Sequence, residues 1–357
     1  MRPIALSLSL AAALFAEPRH IKVYEEPGRF GGWPANHGIW SWGNEILVGF
    51  SAAWYQAKGP DRHQMNSDKP EEPRLARSLD GGETWTIEKP SSLLPPEQGG
   101  KQPVPLPEPM DFTARGFVLT IRFTDIHKGP SRLWYSTDRG KSWNGPYEFP
   151  LFGAAGLAAR TDYIVNGKRD AHVFVTASKS NGREGRSMCA RTTDGGLTWK
   201  MLSWIGAEPP GFSIMPSSLR AGPNELVTTV RVKQEPDNWV ELYRSLDNGA
   251  SWTSEGRVAG TGAFSGNPPH LIRLKDGRYC VTYGHRSKPY AIRAKLSSDK
   301  GKTWGPEITL RDDAAAWDIG YPRSTQRADG KIVTLYYYND APQRERFLAA
   351  TIWDAGQ

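Results

Sequence analysis

Apolar residues in this chain come in short runs of five to seven, not at a helical spacing. Phe117–Phe123, His172–Ala177, Leu226–Val232, Tyr279–Tyr283 and Ile332–Tyr338 are apolar, β-branched or aromatic runs that follow Gly- or Asp-rich turns, and each reads as a strand. Further strands are expected at Ala291–Leu296, Phe347–Trp353 and His20–Tyr24. Long helical patterns are absent after the first residues. Before the strands begin, Arg2, the apolar run Ile4–Phe15 and the small Ala16 have the layout of a secretory signal over residues 1–17, too short for a membrane span.

Between the strands one octet recurs: Ser78-Leu-Asp-Gly-Gly-Glu-Thr-Trp85, Ser136-Thr-Asp-Arg-Gly-Lys-Ser-Trp143, Thr192-Thr-Asp-Gly-Gly-Leu-Thr-Trp199, Ser245-Leu-Asp-Asn-Gly-Ala-Ser-Trp252 and Ser297-Ser-Asp-Lys-Gly-Lys-Thr-Trp304. Successive starts lie 58, 56, 53 and 52 residues apart, a period that signals a repeat fold. The octet has a local cause. Asp can accept from the amides of its own turn, Gly supplies a positive φ, and Trp packs under the reversal. Four strands per period make a propeller blade. With the unit that begins at Trp317, the expected architecture is an all-β, six-bladed β-propeller of four-stranded antiparallel blades. It would span residues 18–357 as one domain, with His20–Tyr24 closing the ring beside Phe347–Trp353.

Composition fits this picture: 14 Trp, 37 Gly and 28 Pro suit many strands and tight turns. The formal charge of +7 is spread along the chain, which points away from nucleic acid and is compatible with an acidic substrate. Cys189 and Cys280 read as unpaired, half-buried thiols, and no His or Cys spacing forms a metal motif. No cofactor is implied, and no membrane span.

The octets resemble the Asp-box (BNR) repeats of the sialidase superfamily. The resemblance covers nearly the whole chain after the signal and implies the propeller fold, with the boxes structural and remote from the pocket. It further implies an exported (secreted or periplasmic) enzyme that hydrolyses a terminal, acidic sugar from a glycan by a retaining mechanism. In that family a Tyr serves as nucleophile because a carboxylate there would be repelled by the substrate's own carboxylate. Tyr321, in Asp318-Ile-Gly-Tyr321-Pro-Arg323, matches that position. Arg231 and Arg286 match two of the three substrate-binding Arg, and Asp68 or Asp61 the acid in the loop that precedes the first box. Two elements of the family pattern have no match. Trp33-Pro-Ala-Asn36-His37-Gly-Ile-Trp40 contains no Arg, and Ile214-Met-Pro-Ser217 contains no acid to activate the Tyr. A uronic-acid-bearing glycoside could still use two Arg.

Residues that open each blade should line the channel mouth: Asn36 and His37, Asp111, Arg160 and Asp162, Asn267, and Asp318 with Arg323. His37 is expected to be open to a ligand, and Arg160 and Asp162 could form an ion pair with each other. Two other readings are compatible with these residues. A polysaccharide lyase would use His37 or His63 as base, Tyr321 as proton donor and an Arg on the uronate carboxylate. A propeller lacking the catalytic set would bind glycans without turning them over.

Overall fold

The computed structural model describes residues 17–356, so the signal segment lies almost entirely outside the described residues. The chain is all-β: 25 strands and three short 3-10 turns, with no α-helix among the described residues. The apolar runs are strands at nearly the expected bounds, including Val118–Phe123, Asp170–Ser178, Leu226–Gln234, Tyr279–His285 and Ile332–Tyr338.

Strands neighbouring in sequence pair antiparallel, as the short turns between them dictate. Glu45–Trp54 holds Arg29–Gly32 and Ile39–Trp42 on one edge and Glu72–Ser78 on the other, followed by Thr86–Glu88. Val118–Phe123, Ser131–Ser136 and Asn144–Glu148 form the next sheet. A nine-stranded sheet follows, but one parallel bridge, Arg186 to Ser213, is all that joins its two halves. Tyr279–His285 and Ala291–Ser297 centre a four-stranded sheet. In the last sheet, Arg19–Tyr24 pairs with Phe347–Trp353, so both ends of the described chain share it.

Neighbouring sheets face each other through apolar side chains. Ile46, Val48 and Phe50 meet Val23, Val333, Leu335, Leu348 and Ala350 between the first and last sheets. Each large apolar side chain buried this way contributes roughly 1.5–3 kcal/mol.

The five boxes share a core of contacts, to which the first two add a bond from the amide three residues after the Asp. In the second, Asp138 Oδ1 accepts from the amides of Lys141 and Ser142, both at about 3 Å, and Asp138 Oδ2 accepts from Ser142 Oγ at 2.5 Å. Ser136 Oγ receives the Gly140 amide at 2.9 Å and donates to Asp138 Oδ1 at 2.6 Å. Two successive residues adopt positive φ in each box, and Arg139, Asn248 and Lys300 do so without being Gly. Glycine is therefore needed at the second of the two positions only. Cys189 and Cys280 are free, and both are fully buried, not half-buried, within strand interiors.

Candidate functional site

Three non-glycine residues with positive φ, Trp33 (55°), Met215 (56°) and Tyr321 (54°), come from three separate strand groups and meet in one buried cluster. Left-handed backbone at bulky residues is strained and gathers where structure is held for a purpose. Bulges place two of them: pairing shifts between Ile214 and Ser217, around Met215, and between Gly320 and Arg323, around Tyr321. Asn267 clamps the second bulge. Its Oδ1 accepts from the Tyr321 amide at 2.9 Å and its Nδ2 donates to Ile319 O at 2.9 Å. A Cβ on Gly320 (φ 106°) would come within 2.3 Å of that amide group.

Arg231 Nη1 donates to the Tyr321 hydroxyl at 3.0 Å. The Arg286 guanidinium lies 5.6 Å from the Tyr321 ring and 5.0 Å from that of Trp317. Burial pushes the Tyr321 phenol up, but Arg231, Arg286 and Arg160, with the hydrogen bond from Arg231, outweigh it and hold the phenol below 10. The adjacent Tyr337, its ring 5.8 Å away, is driven the other way by burial. Neighbouring phenols with opposite shifts mark acid–base differentiation.

Tyr337 accepts from Arg286 Nη2 at 2.6 Å and donates to Asp318 Oδ1 at 2.6 Å. Asp318 is fully buried and also contacts His63 Nδ1 at 2.7 Å and Arg346 Nε at 3.3 Å. Burial alone would raise the Asp318 carboxyl; His63, Arg346 and Arg286 instead hold it well below the usual carboxylate range. His63 stands between Trp33 and Trp317 and lines an open cleft of about 650 Å³ with Asp61, Lys233, Glu235 and Phe264. A second cleft, of about 210 Å³, is lined by Asn36, His37, Ser51, Glu71, Arg122 and Trp134. Asn36 Oδ1 ties it to the first group by accepting from Arg160 Nε at 3.1 Å.

Tyr321, Arg231, Arg286, Asp318 and His63 therefore converge, with Arg160 close enough to act on the phenol. Several expectations need correction. Arg160 pairs with Glu184 at 2.5 Å, not with Asp162, whose carboxylate accepts from Ser218 Oγ at 2.7 Å. His37 is buried, with Nε2 on Ser51 Oγ at 2.9 Å, because the strand Glu45–Trp54 packs over it. Arg286, Asn267, Asp318 and Arg323 are likewise closed off. Arg286 donates to Gly266 O and Ile319 O, and Arg323 to Ala35 O and Thr161 O, so these guanidinium groups are engaged by protein. Asp111 caps its own turn through Thr113, where Met110 bonds the third box at Gly195, away from this group. Asp68 is exposed, and no side-chain hydrogen bond or ion pair among the described residues joins it or Asp61 to Tyr321.

Glu71, Arg122, Glu184, Tyr337 and Arg346 escaped the sequence reading. Glu71 lies in the acidic loop before the first box, together with Asp68 and Asp61. Water reaches it, yet enough protein surrounds the recess to raise its carboxyl, with Ser51 and His63 opposing. No three His, Cys, Asp or Glu side chains converge to hold a metal ion among the described residues. No helix there is long and apolar enough to cross a membrane.

Comparison with known proteins bears on this geometry. The structure is similar to that of a Dyadobacter fermentans protein of unknown function (TM-score 0.74, 23% identity, 94% of this chain and 99% of that one). A Trypanosoma rangeli sialidase mutant displaying trans-sialidase activity follows at TM-score 0.59 and 14% identity, with 96% of this chain matched against 60% of its length. The GH93 α-L-arabinofuranosidase of Fusarium graminearum matches at TM-score 0.60 and 14% identity over 95% of this chain and 97% of that one. At these identities the likeness establishes a shared fold, which in these neighbours is a β-propeller. No curated protein matches the sequence. The model of the BNR repeat-like domain matches residues 103–334, well over half of the sequence and four of its five boxes, and the chain therefore belongs to that family of BNR-type propellers.

Proposed function

We propose that this protein is an exported glycoside hydrolase that cleaves a terminal sugar at the convergence around Tyr321. The six strand groups are read as the six blades of one propeller domain, residues 18–357, with that convergence at the mouth of its channel. The observation that carries the reading is a strained, buried phenol held below its ordinary pKa by Arg231, Arg286 and Arg160. Met215 stands where an activating Glu would be expected, its Sδ 3.6 Å from Arg231 Nη1. The guanidinium groups take over the activating role, by favouring the phenolate directly instead of removing its proton through a base.

In this mechanism the Tyr321 phenolate attacks the anomeric carbon while an acid protonates the departing glycosidic oxygen. Glu71 is better suited to be that acid than Asp68 or Asp61, because it lines the cleft that Asn36 joins to Arg160 and its surroundings raise its carboxyl pKa. Water then attacks the anomeric carbon of the glycosyl-tyrosine, gives its proton to the Glu71 carboxylate and releases the phenolate. Incubation with a panel of oligosaccharides bearing neutral and acidic terminal sugars should release free sugar. Tyr321→Phe should lower release by roughly a thousandfold or more, as loss of a nucleophile does. Undiminished turnover by that variant would overturn the assignment.

The His63–Asp318 pair favours one competing reading, a uronate lyase with His63 as the base oriented by Asp318. Such a reaction leaves an unsaturated, ultraviolet-absorbing product, whereas hydrolysis does not, so the absorbance of the reaction mixture separates the two.

A further inference from the structure

Arg122 reaches the smaller cleft from the strand Val118–Phe123. Its Nε donates to Thr120 Oγ1 at 3.2 Å, and its guanidinium carbon lies 5.9 Å from the Trp134 ring. Nη2 is buried and has no partner, and no carboxylate pairs with this side chain among the described residues. Burial alone drives its pKa down, to about 9. The buried arginines all have protein acceptors: Arg231, Arg286 and Arg323 bond carbonyls or a hydroxyl, and the others bond carboxylates. Arg29 and Arg74 share Glu72, Arg77 bonds Glu45 and Glu88, Arg160 bonds Glu184 and Arg346 bonds Asp318. Arg122 as a whole is half-buried, and its buried Nη2 lacks an acceptor of any kind, which leaves that charged donor open to one from outside.

A second orphaned group lies in the same cleft. His37 Nδ1 is buried and unpartnered, and burial together with Arg122 and Arg323 keeps the ring neutral. Nε2 and Ser51 Oγ share a hydrogen bond at 2.9 Å, and in the tautomer that carries its proton on Nδ1 the ring offers an N–H with no acceptor. The carboxylates nearby do not fill the gap. Glu97 is paired with Arg132 at 3.1 Å, and no hydrogen bond or ion pair among the described residues joins Glu71 to Arg122.

We propose that this cleft is an anion subsite, in which Arg122 Nη2 and His37 Nδ1–H take the carboxylate or sulfate group of a sugar. Arg231, Arg286 and Arg160 are held by protein partners, so the grip on an acidic substituent passes to Arg122. The inference rests on the glycan reading for its choice of probes only, because binding is measured without turnover.

Titration calorimetry of the full chain with D-glucuronate, D-glucose 6-sulfate and D-glucose tests it. At least one anionic sugar should bind tenfold or more tightly than glucose, and comparison of the two tells carboxylate from sulfate. Arg122→Gln should abolish that preference and melt at the same or a higher temperature, while Arg122→Lys should keep part of the preference. Binding is read without turnover, so failure of the hydrolase reading leaves this result standing. Equal affinity for all three sugars, or an anion preference that survives Arg122→Gln, overturns the proposal.

Discussion

The Asp-boxes and the Tyr321 convergence are built from similar polar residues by opposite means. A box satisfies itself within eight consecutive residues, and four of the five hold their Asp carboxyl down to about 2 by hydrogen bonds from their own turn. The convergence has nothing local about it. Arg231 and Tyr321 are 90 residues apart, and His63 and Asp318 are 255 apart. It also carries what the boxes do not: fully buried charges, and left-handed backbone at the buried aromatic residues Trp33 and Tyr321. The comparison teaches that the scaffold is solved once and repeated, while buried charge and strain at aromatic residues gather where chemistry is possible.

Substitutions can break this contrast or sharpen it. The largest effect on stability is expected from Glu184→Gln, which strands the buried Arg160 charge and should cost about 3–5 kcal/mol in denaturant unfolding. Next comes Asn267→Ala. It removes the clamp on the Tyr321 bulge and should cost about 2–3 kcal/mol by leaving buried backbone groups unsatisfied. A box is exposed and redundant, so Asp138→Ala should cost only about 1 kcal/mol, comparable to losing a helix cap. If Asp138→Ala proved as costly as Glu184→Gln, the division into cheap local turns and expensive distant pairs would fail.

Acid gives the smallest and most gradual effect. The box carboxyls are depressed in the folded state, so their stabilisation is complete above the unfolded Asp value near 4. It is lost as pH falls through their folded value of about 2. Melting temperature should therefore decline between about pH 4 and pH 2. The decline should be shallower in Asp138→Ala, where one such carboxyl is gone.

What the sequence disclosed follows the same division. Strands such as Ile332–Tyr338 and Phe347–Trp353 have the expected bounds, because turn residues and apolar runs are local signals. Pairing of the N-terminal strand with Phe347–Trp353 was likewise legible, since the last unit lacked a strand. Tyr321, Arg231 and Arg286 could be picked out by resemblance, but not the fact that Arg286 is spent on carbonyls of Gly266 and Ile319. Arg122 could not be seen at all. Nothing in Val118–Phe123 marks an arginine that no carboxylate will reach, because that depends on which side chains other strands bring to it. Asp111 failed for the converse reason: next to a box turn, the same residue type serves as a cap.

The central claim is that Arg231, Arg286 and Arg160 turn Tyr321 into the most acidic phenol of the molecule. Ultraviolet difference titration of tyrosinate tests it most directly, comparing the unaltered protein with Tyr321→Phe and Arg231→Met. The account predicts one phenolate that forms below pH 10, is missing from Tyr321→Phe and shifts upward in Arg231→Met. Superimposable titration curves for all three proteins would contradict it.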